Sequence, residues 1–308
     1  MRSAHHVGGV GREGRGLASG GLDRARVRST ADPSTTTASP SPSYSEEEAG
    51  ESGVTERGGE PPPSSEEVKV PRHLAVIMDG NYRWALQRGR RGEEGHAAGI
   101  DALRTLVECS VSYGVRALTV YAFSVDNWKR GDGERSFIFT LFERCLNTEI
   151  SELLAKGVCI RFIGVRTGLP HSLRVLMDRA ESLTRDNTSL HLTIAINYSA
   201  RADIVAAARG IARAVSENRI GAEDVDEDLF QSHLSTSVIP PSCGQPDLLL
   251  RTSGEERLSN FLLWELAYTE LCFVKVNWPD FNEESFENAL QEYSKRDRRY
   301  GGRTQDQQ

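Results

Sequence analysis

From Pro71 onward the chain repeats one pattern. A short, almost wholly apolar run is followed by a longer segment whose apolar residues recur every three to four positions. The short runs are Leu74–Met78, Ala117–Phe123, Val158–Ile163, Leu190–Ile196 and Leu248–Leu250, with a further one at Leu271–Val276. Such runs read as strands covered on both faces. Between them, Ile100, Leu103, Val107 and Val111 fall on one helical face ahead of Gly114. Phe137, Ile138, Leu141, Phe142, Cys145, Leu146, Ile150 and Leu153 mark an unusually apolar helix ahead of Gly157. Pro170 suits the first helical position of a segment running to Leu183, and Ile204–Val215 and Phe281–Tyr293 read as further helices. Strands that alternate with helices need crossover connections, and these make neighbouring strands parallel. The expected fold is therefore α/β: one domain over residues 71–308, with a mostly parallel central sheet and helices on both faces.

Residues 1–70 break the pattern. They hold 8 Lys and Arg against 11 Asp and Glu amid Gly, Ser, Thr and Pro, and almost no aromatic residues. A segment of that kind buries too little apolar surface to offset its chain entropy, so it reads as a disordered tail. Arg2, Arg12, Arg15, Arg24, Arg26 and Arg28 among hydroxyl residues fit an organelle transit peptide, and the acidic, Pro-rich stretch after residue 42 fits a linker. The bland alternative is an extension with no address.

Charge and apolar content remove several function classes. No run approaches the roughly 20 apolar residues of a membrane span. The net charge is −7, and it stays negative without the tail, so a general nucleic-acid binder is excluded. The five cysteines have no CxxC spacing, which favours reduced, buried thiols over a disulfide framework or a zinc site.

The polar residues that stand out all follow strands. Asp79-Gly80-Asn81-Tyr82-Arg83-Trp84 follows the first, Ser124 to Arg130 the second, Asn197-Tyr198 the fourth, and Arg251-Thr252-Ser253-Gly254 to Ser259 the fifth. In an open parallel sheet these loops share the carboxyl rim, where ligands bind. Gly80 lets backbone approach a ligand, and Arg83 offers a fork donor for phosphate. Asp79 beside phosphate donors makes sense if a divalent cation bridges the two, Mg²⁺ being the usual choice. Its competing reading is a helix N-cap. Arg251, Arg257 and Ser259 form a second phosphate cradle, or else a solvated loop paired through Glu255 and Glu256. His96, at the start of the next helix, reads as structural or as a phosphate or water-relay group. Trp84 and Trp128 read as core or pocket wall. Glu270 or Glu265, pressed among apolar residues, needs an arginine or a metal. Walker A, GxGxxG, GxSxG and HExxH motifs are absent.

At this point the motifs carry a resemblance. Arg72 to Ala85, Gly95-His96-x-x-Gly99, Tyr121 to Trp128, Pro246 to Glu255 and Ser259 to Trp264 closely resemble the cis-prenyltransferases, the undecaprenyl and dehydrodolichyl diphosphate synthases. Trp278 to Phe281 and Arg298 to Gly302 continue the match, which spans about Pro71 to Arg303. The resemblance implies an enzyme that adds isopentenyl diphosphate to an allylic diphosphate (dimethylallyl, geranyl or farnesyl) with Z geometry, using Mg²⁺. It implies Asp79 as the metal carboxylate, with Glu270 as a further one. Gly80, Asn81, Arg83, Trp84 and His96 would take the allylic diphosphate. Ser124, Asn127, Trp128 and Arg130 would line the reacting centre, with Asp79, Asn127 and His96 as the catalytic set. Arg251, Arg257 and Ser259 would bind isopentenyl diphosphate. Arg299-Tyr300-Gly301 matches an ending that reaches into a neighbouring subunit's site, so a homodimer is expected, touching membranes only through its product.

With the tail, the chain looks like a plant plastid-type member; cytoplasm or the endoplasmic reticulum surface is the alternative address. Tyr82, Gly92, Gly131 and Glu265 depart from the family's usual residues. The alternative function is a catalytically silent partner subunit of the same fold. Such subunits lose the Asp79 and Arg251 equivalents, and both are present here.

Overall fold

The computed structural model describes residues 68–299. Residues 1–67 of the expected tail, with its transit peptide, and Tyr300-Gly301 lie outside the described residues. The elements are β1 (His73–Ile77), α1 (Asn81–Gln87), α2 (Gly92–Ser112), β2 (Ala117–Ser124), α3 (Asp132–Ala155), β3 (Val158–Ile163), α4 (His171–Thr184), β4 (Leu190–Tyr198), α5 (Ala200–Ser216), α6 (Glu227–Ser232), β5 (Leu248–Arg251), β6 (Glu270–Phe273) and α7 (Glu283–Ser294).

The six strands form one sheet in the order β3-β4-β2-β1-β5-β6, and every neighbouring pair is parallel. Alternate residues of each strand feed opposite faces, as strand geometry demands. Leu74 and Val76 of β1 join the large core beneath α2, α3, α4 and α7. Ala75 and Ile77 join a smaller core closed by Phe261, Leu262 and Leu266 and by the start of α5. All five cysteines are free thiols, four buried and Cys145 half-buried. Among the described residues no helix is long and apolar enough to cross a membrane.

Several boundaries differ from those expected. Pro170 caps α4 rather than opening it. The last strand runs only from Glu270 to Phe273. More consequential for the site, α2 begins at Gly92, where the Glu94 side chain accepts from the Arg91 N–H at 3.2 Å. His96 therefore lies inside α2, away from the free N–H groups of a helix start. Glu265 is buried at the end of the smaller core and accepts from the Thr236 hydroxyl at 2.6 Å; burial raises its carboxyl pKa above the usual range.

Candidate active site

Sheet order brings the site together. The first strand sits between β2 and β5, so the loops after β1, β2 and β5 are neighbours on the carboxyl rim, around the point where strand order changes direction. Ile77 pairs in register with Arg251, so Asp79 emerges beside that guanidinium. Arg251 is buried, and its Nη2 donates to Asp79 Oδ2 at 2.8 Å. Its Nη1 donates to Ser259 Oγ at 2.7 Å and to the Arg257 carbonyl. Its Nε–H is buried without a partner, a donor that an anion's oxygen would satisfy.

Thr252 fixes the backbone of Asp79 from both sides. Its hydroxyl accepts from the Asp79 N–H at 2.9 Å and donates to the Asp79 carbonyl at 2.6 Å. Gly80, not Asp79, is the residue ahead of α1, at φ 107, and no side chain caps that helix. The N-cap reading of Asp79 is thereby corrected: its carboxylate is spent on Arg251. A Cβ at Gly80 would also meet Asn277 Oδ1 at 2.6 Å and Ser253 Cβ at 2.9 Å, so this turn admits only glycine.

After β2, the Ser124 N–H donates to Asn127 Oδ1 at 2.9 Å, and Ser124 Oγ accepts from the Asn127 N–H at 3.2 Å. A register shift in β2 between Tyr121 and Ser124 re-aims this corner toward the rim. Arg130 donates to Glu134 at 3.0 Å, and the same carboxylate oxygen lies 3.3 Å from His96 Nε2. Burial lowers the His96 pKa, with the nearby Glu134 opposing.

These residues ring the mouth of a cavity of about 620 Å³. The mouth is lined by Asp79, Asn81, His96, Ser124, Asn127, Arg130, Arg251, Arg257 and Ser259. The depth is apolar, walled by Ile100 and Leu103 of α2, Ile138, Leu141, Phe142, Cys145 and Leu146 of α3, and Val120, Phe162, Ile194 and Ile196 of the sheet. A smaller cavity of about 60 Å³ shares Ile100, Leu103, Cys145, Leu146 and Ile194 with it and continues between α2 and α3. The arrangement suits a molecule with an anionic head and a hydrocarbon tail.

Some expected site residues are not brought to the cavity. The Trp84 indole N–H donates to Asp280 at 2.6 Å, while Arg88 stacks 4.5 Å over the ring. Trp128 packs against Phe123 and Phe139 and donates to Asn197 Oδ1 at 2.7 Å. Both indoles are packing residues, because their one donor is used within the protein. Arg83 stands behind the mouth and donates to the Ser253 carbonyl at 2.8 Å and to Glu255 at 2.8 Å. Glu270 opens β6 opposite Leu248, at the amino end of the sheet, and pairs with Arg296 at 3.1 Å. Asp79 lies beyond the carboxyl end of β1, so within one chain the two residues stand at opposite ends of the sheet.

Sequence reasoning missed Glu134 as part of the site, took Trp278 only as a motif residue, and took Glu255 only as a surface partner. Trp278 lines the cavity and donates to the Gly99 carbonyl at 2.8 Å. Thr252 stood out by its position after a strand, but its clamp on the Asp79 backbone did not.

A metal would find hard oxygen donors here. Asp79 is part-exposed at the mouth, and Asn81 Oδ1 is buried with no partner. Among the described residues there is no cluster of three metal-ligating side chains. One carboxylate with substrate phosphate is the usual manner of holding Mg²⁺, so the residues present fit that ion.

Comparison with known proteins agrees with the geometry. The Prenyltransf family model, that of undecaprenyl diphosphate synthase, matches residues 77–301. Dehydrodolichyl diphosphate synthase 2 of Arabidopsis thaliana is 47% identical over 234 residues, covering 76% of this chain and 75% of the relative. Cis-prenyltransferase 4, chloroplastic, of Solanum lycopersicum is 45% identical over 240 residues, covering 78% and 77%. The crystal structure of lavandulyl diphosphate synthase from Lavandula x intermedia, in complex with dimethylallyl diphosphate, superposes with a TM-score of 0.73 at 36% identity. It covers 75% of this chain and 98% of that one.

Proposed function

Because the chain belongs to the undecaprenyl diphosphate synthase family, the cis-prenyltransferases, and is thus a prenyl-transferring enzyme, we propose that it condenses isopentenyl diphosphate with an allylic diphosphate primer to give a Z-prenyl or polyprenyl diphosphate. The observation that carries this reading is one cavity with an arginine-rich mouth and an apolar depth. A solved relative in complex with dimethylallyl diphosphate supports the primer class.

In this reading Arg251, Arg257 and Ser259 hold the diphosphate of isopentenyl diphosphate, and Asn81 at the mouth, with Gly80 and Arg83 behind it, forms the cradle for that of the primer. Asp79, with Asn81 beside it, would hold Mg²⁺, which would supply charge neutralisation to a diphosphate leaving group. Ser124, Asn127 and Arg130 orient the reacting carbons, and the neutral His96 borders the same space. Alignment of the two substrates makes attack on the allylic carbon effectively unimolecular. The apolar depth takes the hydrocarbon chain and keeps water from the developing cation. The same reading takes residues 71–308 as the catalytic domain of a homodimer. Plastid localisation is supported by relatives named as chloroplastic. Asp79 and Arg251, both at the mouth, count against a catalytically silent subunit.

The test incubates the full chain with Mg²⁺, labelled isopentenyl diphosphate and dimethylallyl, geranyl or farnesyl diphosphate in turn. A Z-prenyl product with at least one primer is expected. Asp79→Asn, which preserves an acceptor for Arg251, is expected to lower turnover by about 10²–10³-fold with an unchanged melting temperature. Normal turnover by that variant would sink the metal role of Asp79.

A further inference from the structure

Glu255 lies between the two cradles. One carboxylate oxygen accepts from Arg83 Nη2 at 2.8 Å, and the other accepts from Arg257 Nη1. These arginines come from different elements: Arg83 from α1 after the first strand, behind the mouth, and Arg257 from the loop after the fifth, at the mouth. Arg83 Nη1 also donates to the carbonyl and the hydroxyl of Ser253, which sits at φ 76 with Gly254 at φ 72 behind it. Arg83 thus spends donors from both of its terminal nitrogens on the loop of the other cradle. Arg257 and Arg83 together hold the Glu255 carboxyl below its usual range, so it is ionised at neutral pH.

A long arginine at a rim loses rotamer freedom when it binds an anion, and that loss weakens binding unless something orders it beforehand. A carboxylate gripping two guanidinium groups by separate oxygens does so for both at once. Its negative charge opposes the incoming diphosphates, so the yoke is useful only if ordering outweighs repulsion. We infer that Glu255 is a positioning residue that yokes Arg83 to Arg257, so that each diphosphate subsite depends on an arginine belonging to the other. The inference rests on the proposed reading of the two cradles. It differs from a plain surface salt bridge, which would leave both ligands indifferent.

Binding is measured by calorimetry with one ligand at a time, so no turnover occurs. The ligands are isopentenyl diphosphate and the unreactive thiolo analogue of farnesyl diphosphate, each with Mg²⁺ and the full chain. Glu255→Gln keeps the size but cannot accept from both arginines. It is expected to weaken each ligand by about tenfold or more, the scale of one charge-assisted hydrogen bond. Arg83→Lys is the sharper probe, because it keeps the charge but loses the fork. It is expected to weaken isopentenyl diphosphate binding as well as the analogue, although Arg83 belongs to the primer cradle. Isopentenyl diphosphate affinity within twofold of wild type in both variants would overturn the inference, and so would tighter binding of both ligands by Glu255→Gln, since repulsion would then dominate. If wild type bound neither ligand, the cradle reading itself would fail, a result distinct from failure of the yoke. Glu255 is part-exposed, so both variants are expected to fold, which a melting curve checks.

Discussion

At the scale of single residues, His73 shows how burial turns a titratable group into a stability term. Its Nδ1 lies 2.9 Å from the Gly244 carbonyl and its Nε2 2.8 Å from the Thr119 hydroxyl. A carbonyl only accepts, so Nδ1 carries the proton and Nε2 accepts from Thr119, which makes the ring neutral. Burial pulls its pKa from 6.5 down to about 4. A folded-state pKa below the unfolded one means that the unfolded chain binds the proton first. The stabilisation is present above pH 6.5 and is lost as pH falls toward 4. Wild type is expected to lose about 3 kcal/mol from this group across that window, and His73→Gln much less, as read by urea unfolding at pH 7, 5.5 and 4.5. An identical slope in the variant would refute this account. The sequence showed nothing special about His73, because its partners lie 46 and 171 positions away. Asp79 and Arg251 were legible, since charged residues directly after apolar strands stand out. Glu255 was visible as a charge but not as a yoke, because one of its partners lies 172 positions away.

At the scale of elements, α1 and α2 meet so closely that glycine is required. A Cβ on Gly95 would run into the Asn81 carbonyl, and one on Gly99 would meet Asn81 Oδ1 at 2.5 Å and Trp278 Cδ1 at 2.8 Å. The first of these obstacles is backbone, so the helices must separate rather than a side chain turn aside. Gly95→Ala is expected to destabilise the protein by about 1–3 kcal/mol and to weaken primer binding, because Asn81 moves with α1. Thermal unfolding and KM for the primer check this, and wild-type values for both would show that the contact relaxes without cost. Helix periodicity gave the identity of α2 but not its start. The acceptor for the Arg91 N–H is the Glu94 side chain, and this local competition with solvent is decided only in the folded chain. That is why His96, expected at a helix start, lies within α2.

At the scale of the whole molecule, the cavity is the product of layers. It lies between the sheet and the helices α2 and α3, so α3 is at once core and wall. Ile138 and Leu146 are buried in the large core and also line the cavity. Leu146 borders the smaller cavity too. Leu146→Trp is therefore expected to block the deep end and shorten the product, while leaving the first condensation within about an order of magnitude of wild type. Chromatography of the labelled products decides. A length distribution identical to wild type would show that the hydrocarbon chain does not run along α3.

The sequence alone determined the α/β class, the position of nearly every strand, the polar clusters after them and the family. These are local properties, set by periodicity and by what may follow a buried strand. The tertiary structure decided which clusters meet. Strand order put β5 beside β1, and so set Arg251 on Asp79 and Glu255 between Arg83 and Arg257. It also sent Glu270 to the opposite end of the sheet, because a residue at the start of a parallel strand faces away from the carboxyl rim. Pairing across more than 170 positions depends on packing the whole chain, and no window of sequence contains it.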